Sequence, residues 1–292
     1  MLVVADLAQW IEGARPRTLP AALAPVAAGS GAAAYADGFR PGPALLALVV
    51  SVALQVGVNY ANDYSDGVRG TDADRVGPMR LVGSGAASPL TVRNAALGAL
   101  GVAAVAGAAL AAMTSWWLLL VGAAAIAAAW AYTGTAHPYG YLGLGEVFVF
   151  CFFGLVAVCG TTYVQVGRVT GVSVLAAVGV GALACAILVA NNLRDVPTDR
   201  IAGKRTLAVR LGEARTRSLF VGLHLLALLV LGVLATQTVL VLLGLLALPL
   251  QVRASTVVLT GGRGMALVPA LRDTGLAVLA WSGGLALGLW LA

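Results

Sequence analysis

The chain has 292 residues, of which 60% are hydrophobic and only 10% are charged. A soluble domain carries about 25% charged residues, so this composition excludes a water-soluble globular protein. Intrinsic disorder is also excluded, because it needs low hydrophobicity together with a high net charge. A polytopic membrane protein remains. The three cysteines lie in apolar runs without CxxC spacing, and we therefore expect buried thiols rather than a metal site.

Charge-free intervals locate the predicted membrane-spanning helices, because a helix needs about 20 apolar residues to cross a bilayer. Two intervals are too long for one crossing, and polar residues divide them at 113–117 and at 236–238. The sequence thus predicts an all-α polytopic protein with about nine transmembrane helices, eight being the competing number. The remaining five intervals each suit one helix, namely 18–36, 41–62, 147–167, 169–193 and 274–292.

The basic residues predict the orientation of the chain. With a cytoplasmic N-terminus and alternating crossings, 16 of the 18 lysines and arginines lie on the cytoplasmic side. This is the positive-inside distribution of a membrane protein. The net charge of +6 therefore belongs to membrane-proximal loops, and we expect membrane lipid and no nucleic acid as a partner. Eleven of the twelve acidic residues also lie on the cytoplasmic side, which the positive-inside rule does not require.

Two clusters of polar residues, at 59–74 and 191–206, end the second and sixth predicted helices. In each cluster an asparagine precedes the first aspartate by four residues, and a second aspartate follows after three or four more. This spacing puts the side chains on one helical face. Two copies separated by 132 residues predict a single domain over 1–292 with two related halves that face one another. The residues are Asn59, Asp63 and Asp66 in the first cluster, and Asn191, Asp195 and Asp199 in the second.

Carboxylates gathered at a helix C-terminus repel one another and are disfavoured by the helix dipole. A bound divalent cation offsets this repulsion, and Mg²⁺ is usually held by one or two carboxylates together with substrate phosphates. Two facing acidic clusters therefore predict a magnesium–diphosphate site. The alternative is that the acids only pair with arginines at the surface. Basic residues suited to the remaining phosphate charge are Arg69, Arg75, Arg80, Arg194, Lys204 and Arg205.

At these residues the chain resembles the UbiA superfamily of intramembrane prenyltransferases, whose motifs are NDxxDxxxD on one helix end and DxxxD on another. The first motif departs from the family at its last position, where Gly70 stands and Asp72 is the expected substitute. Within the superfamily the chain is most similar to the MenA type, on the segments 15–19, 62–72, 81–85, 137–154 and 195–207. The matching motif positions are Asn62, Asp63 and Asp66, then Asp195 and Asp199.

This resemblance implies a nine-helix fold and a Mg²⁺-dependent reaction. A polyprenyl diphosphate loses diphosphate, the ring of 1,4-dihydroxy-2-naphthoate attacks the allylic cation, and carbon dioxide leaves. The implied metal ligands are Asp63, Asp66, Asp72, Asp195 and Asp199. Catalytic candidates are Asp63, Asp66, Asp195, Asp199, Glu146 and Tyr132. Substrate-binding candidates are Asn59, Asn62, Arg69, Arg75, Arg80, Asn191, Arg194, Lys204, Arg205, Arg15 and Tyr139.

Glu146 begins a predicted span, where a carboxylate is stabilised by the helix dipole, so capping alone explains it. Its functional role would be to orient or deprotonate an acceptor hydroxyl. Tyr132, Tyr139 and Tyr141 flank the same inner loop, as interfacial tyrosines commonly do. Their alternative role is to face the allylic cation with a π surface.

Arg15 can simply anchor the first helix at the lipid headgroups, but the family likeness favours it as a site residue.

Three other functions stay open. One is prenyl transfer to 4-hydroxybenzoate or homogentisate, and a second is a CDP-alcohol phosphotransferase. The third is a transporter, which would place ionisable groups near the middle of the membrane. We expect a bacterial plasma-membrane protein with its site on the cytoplasmic side.

Overall fold

The structure, a computed structural model, describes residues 5–70 and 79–292. Within these ranges the chain forms eleven α-helices joined by loops and short 3-10 or π-helical segments, and no β-strand. The helices are α1 Leu7–Gly13, α2 Pro20–Tyr35, α3 Pro41–Arg69, α4 Pro89–Met113, α5 Leu118–Ala131, α6 Gly145–Val149, α7 Gly160–Val166, α8 Gly171–Ile201, α9 Leu207–Leu234, α10 Leu248–Leu259 and α11 Val268–Trp290.

Six helical segments of the described ranges are long and apolar enough to cross a membrane. The all-α membrane-protein prediction is therefore confirmed. Six of the nine predicted intervals therefore hold such a segment; α2 with 16 residues, α5 with 14 and α11 in the other three intervals are not among the six. The six segments are Pro41–Arg69, Pro89–Met113, Gly145–Val166, Gly171–Ile201, Leu207–Leu234 and Val239–Leu259.

Both predicted breaks in the long apolar intervals are confirmed. Helix α4 ends at Met113 and α5 begins at Leu118. Helix α9 ends at Leu234, and the Thr238 side chain accepts a hydrogen bond from the backbone of Leu240 at the start of the next segment. At the second break the Thr238 side chain thus satisfies one of the backbone N–H groups that a new helix leaves open, whereas α5 begins without a side-chain cap.

The four described aspartates of the two polar clusters lie on helices rather than in loops. Charge-free intervals predict helix ends at residues 62 and 193, but α3 continues to Arg69 and α8 to Ile201, with Pro197 inside its last turns. Polar residues on one face do not stop a helix. Helix α3 stops at Gly70, whose φ of 70° suits the left-handed end of a helix.

Close backbone approaches hold one side of the bundle together. A Cβ added to Gly288 of α11 would lie 2.2 Å from the backbone oxygen of Leu240, and one added to Gly31 of α2 would lie 2.5 Å from the Cα of Ala286. Small residues permit this contact, which is typical of helices packed in membranes. Trp281 of α11 is fully buried in the same core and donates its Nε1–H to the backbone oxygen of Ala227 at 3.3 Å.

Helix α1 and the loop 79–88 pack together beside α3. The Trp10 and Tyr60 rings meet edge to face, with centroids 5.6 Å apart, and the Tyr60 hydroxyl donates to the backbone oxygen of Trp10. Gly13 lies so close to Leu81 that an added Cβ would be 2.7 Å from its Cδ1. This short helix, which the charge-free intervals do not predict, therefore rests on the loop.

Candidate active site

A large cavity, of about 1080 Å³, lies among the helices at the end where α3 and α8 finish. It is polar where those two helices end and apolar elsewhere. Side chains from both polar clusters share the polar wall, so the structure brings the two clusters together. The predicted site residues that line it are Arg15, Asn59, Asn62, Asp66, Arg80, Tyr132, Tyr139, Asn191, Arg194, Asp195, Asp199 and Lys204.

The apolar part of the cavity extends into the bundle between α3, α4, α5 and the segment Gly145–Val166. Its walls combine aromatic rings with small residues. A Cβ added to Gly107 or Gly122 would meet no heavy atom within 4 Å, so both glycines border open space. Further lining residues are Val50, Leu54, Ala103, Ile126, Phe148, Phe152 and Val156.

Asp66 is the side chain on which the polar wall converges. Its Oδ1 accepts a hydrogen bond from the Tyr141 hydroxyl at 2.6 Å and lies 3.6 Å from the Lys204 ammonium. Its Oδ2 lies 3.6 Å from the Arg80 guanidinium. Asp66 is buried, so these donors and charges replace the water that a carboxylate needs. One carboxylate thus connects α3, the loop 79–88, the loop before α6 and the loop after α8.

Lys204 joins the second cluster to the first. Its ammonium lies 4.5 Å from the centroid of the Tyr141 ring as well as beside Asp66. Burial by itself lowers the pKa of this ammonium, but the charges of Asp66 and Asp199 and the nearby Tyr141 outweigh burial and raise the pKa above its ordinary value. Lys204 is therefore a firmly protonated cation on the cavity wall.

The α8 side of the wall holds a paired carboxylate. Arg194 donates from Nε and Nη2 to the two oxygens of Asp195, at 2.7 and 2.8 Å. Its Nη2 also donates to Asn191 Oδ1 at 2.8 Å. Such two-point pairing fixes the plane of the carboxylate. Asp199, one turn further, is buried and lines the same cavity.

A hydrogen-bond network ties the segment before α2 to α3. Asn59 donates to the backbone oxygen of Ala14 and to the Thr18 hydroxyl, each at 2.9 Å, and Gln55 donates to the same hydroxyl at 3.0 Å. Arg15, between them, has a φ of 54°, which non-glycine residues seldom adopt. The network therefore holds Arg15 at the cavity wall. Asn62 accepts a hydrogen bond from the Thr133 hydroxyl at 2.7 Å.

Aromatic rings form the boundary between the polar and apolar parts of the cavity. The Tyr139 ring stacks on Phe148 with centroids 3.9 Å apart and meets Tyr132 edge to face at 5.4 Å. The Tyr139 hydroxyl donates to the backbone oxygen of Ala128 at 2.9 Å. Burial raises the pKa of this phenol, so Tyr139 stays neutral and presents a π face.

Four predicted site residues do not line the cavity. Asp63 accepts hydrogen bonds from the backbone N–H groups of Leu81 and Val82 instead. Arg69 is exposed and donates to the backbone oxygens of Thr133 and Thr135. Arg205 is exposed, and Glu146 is buried behind the wall. The predicted residues Asp72 and Arg75 lie outside the described residues.

Glu146 reaches the site through another residue. Its Oε1 accepts a hydrogen bond from Asn192 Nδ2 at 2.9 Å, and Asn192 lines the cavity. The other carboxylate oxygen, Oε2, is buried without a hydrogen-bond partner in the described residues. The geometry thus favours an orienting role for Glu146, exerted through Asn192.

Three residues of the cavity wall are not among the predicted site residues. Tyr141 contacts Asp66 and Lys204, whereas the sequence suggests for it an interfacial position or a π surface toward the allylic cation. Asn192 is adjacent to the predicted Asn191. Arg272 lines the cavity and donates to Asp273, two hydrogen bonds of 3.1 and 2.9 Å, but α11 carries no motif that would single it out. Only the Asn–Asn pair at 191–192 offered a signal in the sequence.

The donor set suits a hard divalent cation. Asp66, Asp195 and Asp199 supply carboxylate oxygens to one cavity, and oxygen ligands are those that Mg²⁺ prefers. In the part of the chain that is described, no three acidic, histidine or cysteine side chains stand close enough to form a metal site by themselves. Mg²⁺ is usually held by one or two carboxylates together with phosphate oxygens of a substrate.

Comparison with known proteins identifies the family. The family model of the UbiA prenyltransferase family matches residues 22–263. The chain belongs to this family. A UbiA-family relative from Mycobacterium tuberculosis, a 1,4-dihydroxy-2-naphthoate octaprenyltransferase, is 57% identical over 279 residues and 96% of both chains. A relative of the same description from Escherichia coli is 40% identical over 215 residues, which cover 71% of this chain and 70% of the relative.

Solved structures of UbiA homologues share the fold. An apo UbiA homologue from Aeropyrum pernix matches with a TM-score of 0.71 and 17% identity, over 90% of this chain and 96% of that one. A UbiA homologue from Archaeoglobus fulgidus, bound to DMAPP and Mg²⁺, matches with a TM-score of 0.68 and 15% identity, over 97% and 99%. Membership of a prenyltransferase family sets aside the CDP-alcohol phosphotransferase and transporter interpretations.

Proposed function

We propose that this chain is a prenyltransferase that transfers a polyprenyl group from polyprenyl diphosphate to 1,4-dihydroxy-2-naphthoate, with loss of carbon dioxide, to give demethylmenaquinol for menaquinone synthesis. The observation that carries the proposal is the two-part cavity. A diphosphate matches the cationic and carboxylate end, and an isoprenoid chain matches the apolar end. The 57% identical relative named for this reaction supports the choice of acceptor.

The carboxylates that would hold magnesium, one or two of them to an ion together with the diphosphate, are those of Asp66, Asp195 and Asp199. Bound Mg²⁺ supplies charge that neutralises the diphosphate and helps it to leave. Asp63 is omitted from this set because it does not line the cavity, and its carboxylate oxygens accept hydrogen bonds from the loop 79–88 instead. Asp72 stays a proposed ligand on the family resemblance alone.

Cations of the wall would complete the diphosphate site. Arg80, Arg194 and Lys204 pair with Asp66 or Asp195 in the described structure. Because each guanidinium or ammonium has several N–H donors, it can hold a carboxylate and a phosphate oxygen together. These three side chains therefore bind and orient the leaving group, whose C–O bond breaks with the electron pair staying on the diphosphate.

The aromatic boundary and the apolar cavity would protect the allylic cation. The π faces of Tyr139 and Phe148 attract positive charge, and apolar walls limit its capture by water. The ring carbon that bears the carboxylate donates the electron pair of the new C–C bond. The bond from that carbon to the carboxylate then breaks, carbon dioxide leaves, and the electron pair of the broken bond restores the aromatic ring. Asn192, held by Glu146, is positioned to orient the acceptor.

The arrangement in the membrane is also a proposal. Nine helical segments would cross the plasma membrane of a bacterium, with the N-terminus and the polar end of the cavity in the cytoplasm. The bias of basic residues toward the loops on that side supports this orientation. We propose as well that residues 1–292 form one domain whose halves are related through the two polar clusters.

The test uses purified protein in detergent with radiolabelled polyprenyl diphosphate, Mg²⁺ and one of three acceptors: 1,4-dihydroxy-2-naphthoate, 4-hydroxybenzoate or homogentisate. We expect demethylmenaquinol with the first acceptor only. Asp66→Asn and Asp195→Asn should abolish transfer, whereas Asp37→Asn, in an exposed loop at the other end of α2, should not. Transfer to another acceptor would replace the proposed acceptor, and no transfer to any of the three would overturn the proposal.

A further inference from the structure

The two aspartates of the first cluster have different surroundings. Asp66 lines the cavity, but Asp63, one turn earlier on α3, does not. Asp63 is fully buried, with an exposed fraction of 0%. Its Oδ2 accepts a hydrogen bond from the backbone N–H of Leu81 at 2.8 Å, and its Oδ1 accepts one from Val82 at 3.0 Å. Both oxygens of this carboxylate are therefore engaged by adjacent residues of the loop 79–88.

The loop itself is compact and lies close against α3. Backbone hydrogen bonds join Ser84 to Arg80 and Ala87 to Leu81, each at 3.0 Å. On the α3 side, a Cβ added to Gly67 would lie 2.4 Å from Cγ1 of Val82, so the helix leaves room for the loop at this glycine. The loop is thus fixed by its own hydrogen bonds, by Gly67 and by the Asp63 carboxylate.

The residue just before the two anchored N–H groups is Arg80. Its side chain is buried, lines the cavity and lies 3.6 Å from Asp66. A shift of the Leu81 and Val82 backbone would move the Arg80 Cα, and hence its guanidinium, relative to the polar wall. Leu81 also supports Gly13 of α1, whose Ile11 and Glu12 line the cavity.

We propose that Asp63 is a positioning residue, which fixes the backbone of the loop 79–88 so that Arg80 is held toward the diphosphate. This assignment rests on the proposed prenyltransferase function and differs from metal ligation, the role that the sequence motif predicts. A metal ligand would set the Mg²⁺ requirement of the enzyme. A positioning residue sets the affinity for the substrate group that Arg80 binds, and its effect depends on Arg80 being present.

The first experiment is a double-mutant cycle on the full chain in detergent. Asp63→Asn keeps the size of the side chain but leaves one oxygen and places an NH₂ group against a backbone N–H. We expect it to raise KM for polyprenyl diphosphate roughly ten- to hundredfold, as loss of a buried charge-assisted hydrogen bond does. Arg80→Gln should raise KM similarly, and the double variant should be no worse than the worse single variant.

The Mg²⁺ concentration for half-maximal rate separates positioning from metal ligation. We expect it to be unchanged in Asp63→Asn and raised in Asp199→Asn. Ser65→Ala is the matched control, because Ser65 is buried on the same turn and its hydroxyl has no hydrogen-bond partner in the described residues. That control should keep the wild-type KM. A raised Mg²⁺ requirement in Asp63→Asn, or additive effects in the double variant, would overturn the proposal.

Hydrogen exchange tests the anchor without any activity. In Asp63→Asn the amides of Leu81 and Val82 should exchange faster than in the wild type, whereas unchanged protection would overturn the anchoring role. If Asp63→Asn does not yield folded protein, Gly67→Ala replaces it, because the added methyl group displaces Val82 and leaves the Asp63 carboxylate intact. Gly67→Ala should raise the KM for polyprenyl diphosphate and the exchange rate of the Leu81 and Val82 amides. Wild-type values of both would refute the proposal. If the wild-type protein has no transferase activity, only the proposed function is refuted. The hydrogen exchange of Leu81 and Val82 would still decide whether Asp63 anchors the loop.

Discussion

Tyr141 provides a direct test of the polar wall, because one atom can be removed from it. Its hydroxyl donates to Asp66 Oδ1 at 2.6 Å, and its ring lies 4.5 Å from the Lys204 ammonium and 5.6 Å from the Arg69 guanidinium carbon. Tyr141→Phe deletes the hydroxyl and keeps the ring. Tyr141→Ala deletes both. The two variants therefore separate the hydrogen bond to Asp66 from the contact of the ring with the cations.

The expected magnitude follows from these contacts. A hydrogen bond to a charged group contributes about 1.5–3 kcal/mol. In Tyr141→Phe the Asp66 carboxylate keeps Arg80 and Lys204 as charged neighbours at 3.6 Å, so we take the lower end of this energy range. About 1.4 kcal/mol corresponds to a tenfold change, and kcat/KM should therefore fall roughly tenfold. Tyr141→Ala also loses cation–π contact, about 0.5–2 kcal/mol, and should lose roughly a hundredfold.

The assay measures initial rates of demethylmenaquinol formation with purified variants at several concentrations of polyprenyl diphosphate. Tyr64→Phe is the matched control, since Tyr64 lies on α3 two residues from Asp66 and does not line the cavity. It should keep the wild-type kcat/KM. The reasoning would be refuted by a Tyr141→Phe enzyme with wild-type kcat/KM, or by equal losses in Tyr141→Phe and Tyr64→Phe.

Five further outcomes are expected. Chelation of Mg²⁺ should abolish transfer reversibly, and Asp199→Asn should raise the Mg²⁺ requirement roughly tenfold, measured by metal titration. Asn192→Leu leaves buried Glu146 without its donor and should lower the melting temperature in detergent, whereas an unchanged value would contradict that pairing. Gly288→Ala should destabilise the bundle by about 1–3 kcal/mol, and Gly283→Ala, which faces open space, should not. Gly122→Leu fills cavity space and should raise KM for octaprenyl diphosphate more than for geranyl diphosphate.

The sequence predicted the helices and the polar face of each cluster because both depend on local patterns, and the repetition of the cluster predicted that the two copies meet. Apolar length defines the helices, and i, i+4 spacing puts each cluster on one face. The contact of Lys204 with Asp66 confirms that the clusters come together. The number of membrane crossings, the cytoplasmic N-terminus and the relation between the two halves stay predictions.

The different environments of Asp63 and Asp66 could not be predicted from the sequence. Both belong to one motif and to one helical face. They differ only because the loop 79–88 folds back onto α3 and its N–H groups engage Asp63, which is a long-range contact. Tyr141 is a similar case. In the sequence it has the same character as its neighbouring tyrosines, and only the folding of its loop onto Asp66 distinguishes it.

The close packing of α11 also affects how this enzyme can change over evolution. Gly288 and Gly31 touch neighbouring backbone, and even a methyl group has no space there. Substitutions at these positions therefore destabilise the fold, whatever their effect on activity. Gly107 and Gly122, on α4 and α5, border the cavity and face open space. Variation in the length of the accepted isoprenoid is therefore expected to accumulate on α4 and α5, while α11 and its contacts diverge slowly.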